Sequence, residues 1–117
     1  MPSTRLPRSQ LLKGTTPLLI LTVIGDGELY GYEIAQRIRH GSGGEFSPSE
    51  GSLYPALHRL EAEGALDATW RDSERGPRRR YYRMTAKGRG LMSESRRQWD
   101  TFVQTVHAVT NAGGVDG

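Results

Sequence analysis

A mainly α fold with one small β-hairpin is what this sequence predicts, and three stretches predict it. Within residues 50–64 (EGSLYPALHRLEAEG) Leu53, Leu57 and Leu60 recur at i, i+4 and i+7, the spacing of a helix with one buried edge. Residues 65–84 hold two short alternating runs around a turn-forming SERGP, the pattern of a hairpin. From Thr85 to about Thr110 the chain reads as one long helix. Helix, helix, helix, strand, strand, helix, in that order, predicts a winged helix-turn-helix followed by a long C-terminal helix suited to dimerisation.

Each element has its own warrant. Residues 1–8 carry two prolines and two arginines and are expected to be a flexible N-terminus. A first helix falls between Ser9 and Ile24, with Thr16 as a cap and Pro17 at its first position, or with a bend at Pro17. Its end is apolar on every side, which implies burial on more than one face, and Gly25–Gly27 stops it. Tyr30–Arg39 is the second helix, with Ile34 and Ile38 one turn apart and Tyr30 one turn earlier.

The third helix is expected from about Pro48 to Glu63, with Ser47 as N-cap, Pro48 first and Glu50 completing a capping box. Gly64 suits the residue just past its end. Pro55 removes a backbone donor, so either the regular helix starts near Gly51 or its first turns are kinked. Ala65–Asp72 alternates Leu66, Ala68 and Trp70 on one face, Ser73–Pro77 turns, and Arg78–Met84 returns with Tyr82 and Met84 inward. The last helix, about 40 Å long at 1.5 Å per residue, is long for so small a domain. The expected division is 9–84 for the winged domain, 85–110 for the dimerisation helix and 111–117 for a disordered tail.

Composition limits the function. At 117 residues and 35 % hydrophobic, the chain is one modest domain whose burial a second subunit could complete. The absence of cysteine excludes disulfides and thiolate chemistry. The apolar run Leu18–Ile24 is far shorter than the roughly 18–20 residues that span a bilayer. No secretion signal is read at the start, so a cytoplasmic protein without membrane contact is expected. The glycine-rich HGSGGEFSPS lacks the Lys-Ser/Thr ending of a P-loop, and His40, His58 and His107 are not at metal-site spacing. No catalytic residue, metal or cofactor is therefore expected.

The net charge of +3 is mild, but Arg75, Arg78, Arg79 and Arg80 lie within six residues. With the leucines of the third helix fixed inward, Ser49, Ser52, Pro55, His58 and Arg59 fall at or near its outer edge, and Tyr54 lies beside the core edge. Such residues reach base edges or phosphate oxygens; an ordinary helix with its polar side in water is the plainer alternative. Three successive arginines repel one another, and phosphates relieve that repulsion. Alternation sends Arg79 and Arg83 to one face of the strand, Arg78 and Arg80 to the other. Helix and hairpin together favour double-stranded DNA as partner over a winged-helix module used only for protein contact.

The segments LLKGTTPLLIL (Leu11–Leu21), GYEIAQRI (Gly31–Ile38), GSLYPALHRLEAEG (Gly51–Gly64) and RRRYYRMTAKG (Arg78–Gly88) resemble the PadR family of bacterial transcriptional regulators, in order and spacing over roughly residues 9–90. The resemblance implies a winged helix-turn-helix with a dimerising helical C-terminus. Gly51–Gly64 would be the recognition helix, with Ser52, Tyr54, Pro55 and Arg59 at the DNA surface, and Arg78–Arg80 with Tyr82 would form the wing. A single helix after Gly88 resembles the short subfamily, so sensing of phenolic acids is not implied. Pro77 stiffens the wing tip and bears on the reach of Arg75.

Met92, Ser95, Trp99, Phe102, Val103, Val106 and Thr110 recur at three- and four-residue steps, a stripe that predicts a homodimer completed by Leu18, Leu19 and Ile20. Short members of the family that sense drugs hold flat aromatic compounds between paired tryptophans, and Trp99 resembles that residue. The resemblance thus implies a small planar aromatic effector at Trp99 and Phe102, against the alternative that both are interface core. The resulting expectation is a homodimeric repressor on a palindromic operator.

Overall fold

The computed structural model describes residues 14–115. The elements are α1 (Thr16–Ile24), β1 (Glu28–Tyr30), α2 (Gly31–Gly41), α3 (Glu50–Ala62), β2 (Leu66–Ser73), β3 (Gly76–Met84) and α4 (Ala86–Val115). The flexible N-terminus expected at 1–8 lies outside the described residues.

α1 is apolar all round because it is buried between neighbours; Ile20, Leu21 and Ile24 sit in the core. Its cap is Thr15 rather than Thr16, which puts Pro17 second in the helix. Both positions lack an intrahelical N–H partner, so proline fits either. β1 was not expected. It begins one residue after Gly27 and pairs antiparallel with β3, with Leu29 opposite Tyr82 and Tyr30 opposite Tyr81. Tyr30 therefore ends a strand instead of lying in the second helix. Its N–H donates to Glu33 Oε1 at 3.2 Å, which closes the first turn of α2.

The capping box expected at Ser47 does not form. α3 starts two residues later, with Ser49 as the cap residue, and its carbonyl accepts from the N–H groups of Ser52 and Leu53. Ser47 Oγ instead accepts from Arg39 Nε at 3.1 Å, which ties the loop to α2. α3 runs unbroken through Pro55 and buries Leu53, Leu57 and Leu60 against α1, α2 and β2. Gly64 takes φ of 80°, a left-handed conformation that favours glycine, and Ala65 N–H returns to Leu60 O.

The sheet order is β1-β3-β2, all antiparallel. β2 and β3 extend further toward the tip than the alternation implied, which leaves Glu74 and Arg75 between them. Leu66, Ala68 and Trp70 share a face with Arg80, Tyr82 and Met84, as the register pairs them. The core ends before the tip: Leu66 is buried, and Trp70 is 56 % exposed. Alternation gives the face of a side chain and not whether anything covers it.

Thr85 caps α4, its Oγ1 accepting from Gly88 N–H at 3.0 Å and donating to Gly64 O at 2.6 Å. Leu91 and Met92 pack on the core, Trp99 and Phe102 still border α1 and α3, and from about Gln104 the helix leaves the domain. The Cα radius of gyration is accordingly 17.1 Å, against roughly 13 Å for a compact chain of this length. A disordered tail was expected from residue 111, but the helix continues to Val115. Gly113 and Gly114 each weaken a helix by roughly 1 kcal/mol relative to alanine without ending it. Residues 116 and 117 lie outside the described residues.

Candidate nucleic-acid interface

The core edge of α3 determines what its other edge presents. Ser49, Ser52, Pro55, His58 and Arg59 are all exposed. Ser52 Oγ donates to Ser49 O at 3.1 Å and lies 3.3 Å from Ser49 Oγ, so two small hydroxyls stand together at the N-terminal end. Tyr54 leans sideways onto the start of α2. A Cβ added to Gly31 would lie 2.9 Å from the Tyr54 hydroxyl, so glycine is what lets the ring approach.

The β2–β3 hairpin stands beside this helix as the wing. Between them lies a groove of about 350 Å³, lined by Tyr54, His58, Trp70, Arg78, Arg79 and Arg80 among others. The three arginines are not equivalent. Arg79 lies on the outer face with its guanidinium 4.5 Å from the centre of the Tyr30 ring, and has no acidic partner among the described residues. Arg78 lies over Trp70 and pairs with Asp72 at 3.3 Å, both groups well exposed. Arg80 points inward and pairs with Glu61 of α3 at 2.5 Å. Arg75 is exposed in the turn.

Tyr82 does not belong to the exposed wing. It is 2 % exposed, at the centre of the sheet between Leu29 and Ala68. Burial raises its phenol above the usual tyrosine range, and the neighbouring Arg80 guanidinium opposes that rise. Alternation had placed it inward and the family resemblance outward; the core has it.

A basic wing next to a helix with a small, hydroxylic and basic outer edge is the arrangement of a winged-helix DNA reader. Comparison with known proteins identifies which kind. The model of the transcriptional regulator PadR-like family matches residues 20–94. The chain belongs to the PadR-like family of transcriptional regulators. It is 40 % identical over 90 residues to the transcriptional regulator Rv3488 of Mycobacterium tuberculosis, covering 76 % of this chain and 79 % of that one. Among solved structures, a transcriptional regulator from Clostridium thermocellum superposes with a TM-score of 0.79 at 27 % identity, covering 85 % of this chain and 96 % of that one. A PadR-like regulator from Bacillus cereus gives 0.69 at 36 % identity, covering 86 % and 96 %.

This PadR-like chain is thus a DNA-binding regulator and not an enzyme, which sets aside the protein-contact module. No described helix is long and apolar enough to cross a membrane.

The projecting half of α4 carries the stripe read from the sequence. Trp99 is 40 % exposed and Phe102 59 %, their rings 6.0 Å apart, with Val106 following. Val109 extends the same stripe and was missed, although it stands three residues after Val106. Leu18 and Val103 are half-buried; Leu19 and Met92 pack partly on the domain's own core. A second groove, about 380 Å³, runs between α1, α3 and α4 and brings Arg59, Leu60, Trp99 and Phe102 of this PadR-like chain to one cleft.

Two wing features escaped the sequence reading. Trp70 stands on the wing between Arg78 and Arg80, 5.9 and 5.8 Å from their guanidinium carbons, a placement that needs the strand register. Glu61 engages Arg80 from nineteen residues away, and nothing local signals it.

Proposed function

We propose that the protein is a homodimeric repressor that occupies a palindromic operator. α3 enters the major groove and reads bases with Ser49, Ser52, Pro55, His58 and Arg59, while Tyr54 reaches a phosphate beside it. Arg79 grips the backbone, joined by Arg75 and by Arg78 once it exchanges Asp72 for a phosphate. The observation that carries this reading is that Tyr54 and His58 of α3 face the wing arginines across one groove, on the helix whose exposed edge also carries Ser49, Ser52, Pro55 and Arg59.

The second copy is argued from α4. Trp99, Phe102, Val106 and Val109 form an apolar stripe on a helix that leaves its own domain, and Leu18 flanks it. Burial of that stripe against a partner's α4 sets two copies of α3 about one DNA turn, roughly 34–36 Å, apart. A small planar aromatic effector stacked on Trp99 and Phe102 then sits in the cleft that also contains Arg59 and Leu60 of α3. Occupancy shifts the reading helix from below, and a palindrome senses the altered spacing as lost affinity.

The test is binding to a duplex taken from upstream of the protein's own gene, against a shuffled duplex, at low and moderate salt. Preference that survives added salt supports operator recognition, and equal affinities that vanish together refute it. Sedimentation of Phe102→Asp distinguishes the dimer: the wild type is expected to be dimeric and the variant monomeric. A panel of planar aromatics that neither quenches Trp99 nor weakens DNA binding refutes the effector.

A further inference from the structure

Arg80 is the wing arginine whose surroundings are least like those of a phosphate ligand. Its Nη2 donates to Glu61 Oε2 at 2.5 Å, and the two side chains are 31 % and 30 % exposed. Its guanidinium carbon lies 5.7 Å from the Tyr82 ring centre and 5.8 Å from that of Trp70. Its Nε is buried without a hydrogen-bond partner among the described residues. The cation is thus half-buried, flanked by two rings and a carboxylate, and faces α3 rather than the outer side of the wing.

The backbone leaves the wing in need of such a tie. α3 packs on α1, α2 and β2. Beyond Ala68 the two wing strands have little beneath them, and Trp70, Arg71, Pro77 and Arg78 are exposed. Glu61 sits one residue past Leu60 on α3, and Arg80 sits opposite Trp70 on β3. An ion pair between them fixes the angle at which the hairpin leaves the sheet relative to the reading helix. Being half-buried, it is screened less than the exposed Arg78–Asp72 pair.

We propose that Arg80 and Glu61 form a positioning latch holding the wing in register with the reading helix, and that Arg80 is a positioning residue rather than a phosphate contact. This rests on the reading that α3 and the wing engage one DNA site together. A latch matters where both must engage in fixed geometry, on the specific site; on random DNA the wing can grip phosphates at any angle. A phosphate contact would behave in the opposite way, contributing on every sequence and to the salt slope.

The experiment measures the full-length chain and its Glu61→Gln, Arg80→Gln, Glu61→Gln/Arg80→Gln and charge-swapped Glu61→Arg/Arg80→Glu variants, with Arg79→Gln as comparator. Each is titrated onto the upstream and shuffled duplexes across a salt series, with thermal melts to establish the folded fraction. Glu61→Gln and Arg80→Gln are each expected to lose roughly tenfold on the upstream duplex, with shuffled-duplex affinity and salt slope unchanged. The double variant should lose no more than either single one, and the charge swap should recover the preference. Arg79→Gln should instead flatten the slope on both duplexes. A slope flattened by Arg80→Gln, or tighter binding by Glu61→Gln, would make Arg80 a phosphate contact and overturn the proposal. Equal losses on both duplexes that track the folded fraction would reduce the pair to a fold contact, which also overturns it. A wild type blind to the two duplexes would refute the shared-site reading itself, and the latch with it; a wild type that discriminates beside unaffected variants would refute the latch alone.

Discussion

Arg79→Ala tests the proposed phosphate grip of the wing apart from everything else the wing does. The side chain has no acidic partner among the described residues, and its guanidinium carbon lies 4.5 Å from the centre of the Tyr30 ring. An exposed cation–π contact contributes about 0.5–1 kcal/mol, so the variant should melt close to the wild type. Its DNA effect follows from counterion release. One neutralised phosphate steepens the log–log salt dependence by about 0.9, and a dimer carries the residue twice, so the slope should flatten by about 1.8. Between about 50 and 200 mM salt this makes the affinity of the variant roughly twelvefold less salt-sensitive than that of the wild type. Fluorescence anisotropy with a labelled upstream duplex and a shuffled one, across a salt series, reads both quantities. An unchanged slope would refute phosphate contact by Arg79. A changed preference among operator variants at an unchanged slope would move it to base readout.

Other substitutions test the frame that holds the interface. Gly88→Ala would place a Cβ 2.2 Å from the Ala65 carbonyl oxygen and 2.7 Å from Met84 Cγ. A destabilisation of roughly 3 kcal/mol is expected in urea unfolding, because α4 must move off the α3–β2 corner. Gly31→Ala places its new Cβ nearest to atoms at the outer end of the Tyr54 ring. It should cost the fold under about 1 kcal/mol while displacing Tyr54, and anisotropy should record a loss of roughly 1 kcal/mol in DNA binding. Tyr82→Phe tests the buried phenol. Burial raises its pKa despite the opposing Arg80, so the folded state favours the neutral form. The resulting stability is fully present below the unfolded value near 10.0 and is lost as pH rises through the folded one. Alkaline unfolding should therefore be less steep in Tyr82→Phe than in the wild type, as followed by circular dichroism.

The fold was legible in the sequence wherever period and chemistry coincided. Leu53, Leu57 and Leu60 identified the inner edge of α3 and, by subtraction, the outer one. Thr85 and Gly64 marked the flanks of the wing because a hydroxyl cap and a left-handed glycine are local requirements. The caps of α1 and α3 slipped by one and two residues, since neither Thr15 nor Ser49 makes a side-chain cap hydrogen bond and hydroxyl chemistry therefore does not mark the helix start. β1 was invisible because three residues show no alternation, and only pairing with β3 makes them a strand. Alternation put Arg79 on one face of β3 and Arg78 and Arg80 on the other, but gave none of them a partner. Separating them required knowing that Asp72 lies across the hairpin, that Tyr30 ends the neighbouring strand and that Glu61 faces β3 from α3.

That separation also gives the mild charge of the chain a meaning. Around the wing, Arg71 pairs with Glu28, Arg78 with Asp72, Arg80 with Glu61 and Arg83 with Asp67. Self-neutralised arginines add little to the sequence-independent attraction of DNA, which scales with the number of phosphates a protein neutralises. A wing with many free cations would bind strongly anywhere along a duplex, and competing genomic sites would hold most of the protein. Pairing the arginines within the fold lowers that background, and on the proposed reading the preference for one site is left to the edge of α3. On the proposed reading Arg79, Arg75 and Arg78, once Arg78 leaves Asp72, supply grip, while Arg80 holds the geometry of the wing. For a small DNA-binding regulator, restraint in free charge is as much a route to specificity as contacts to bases.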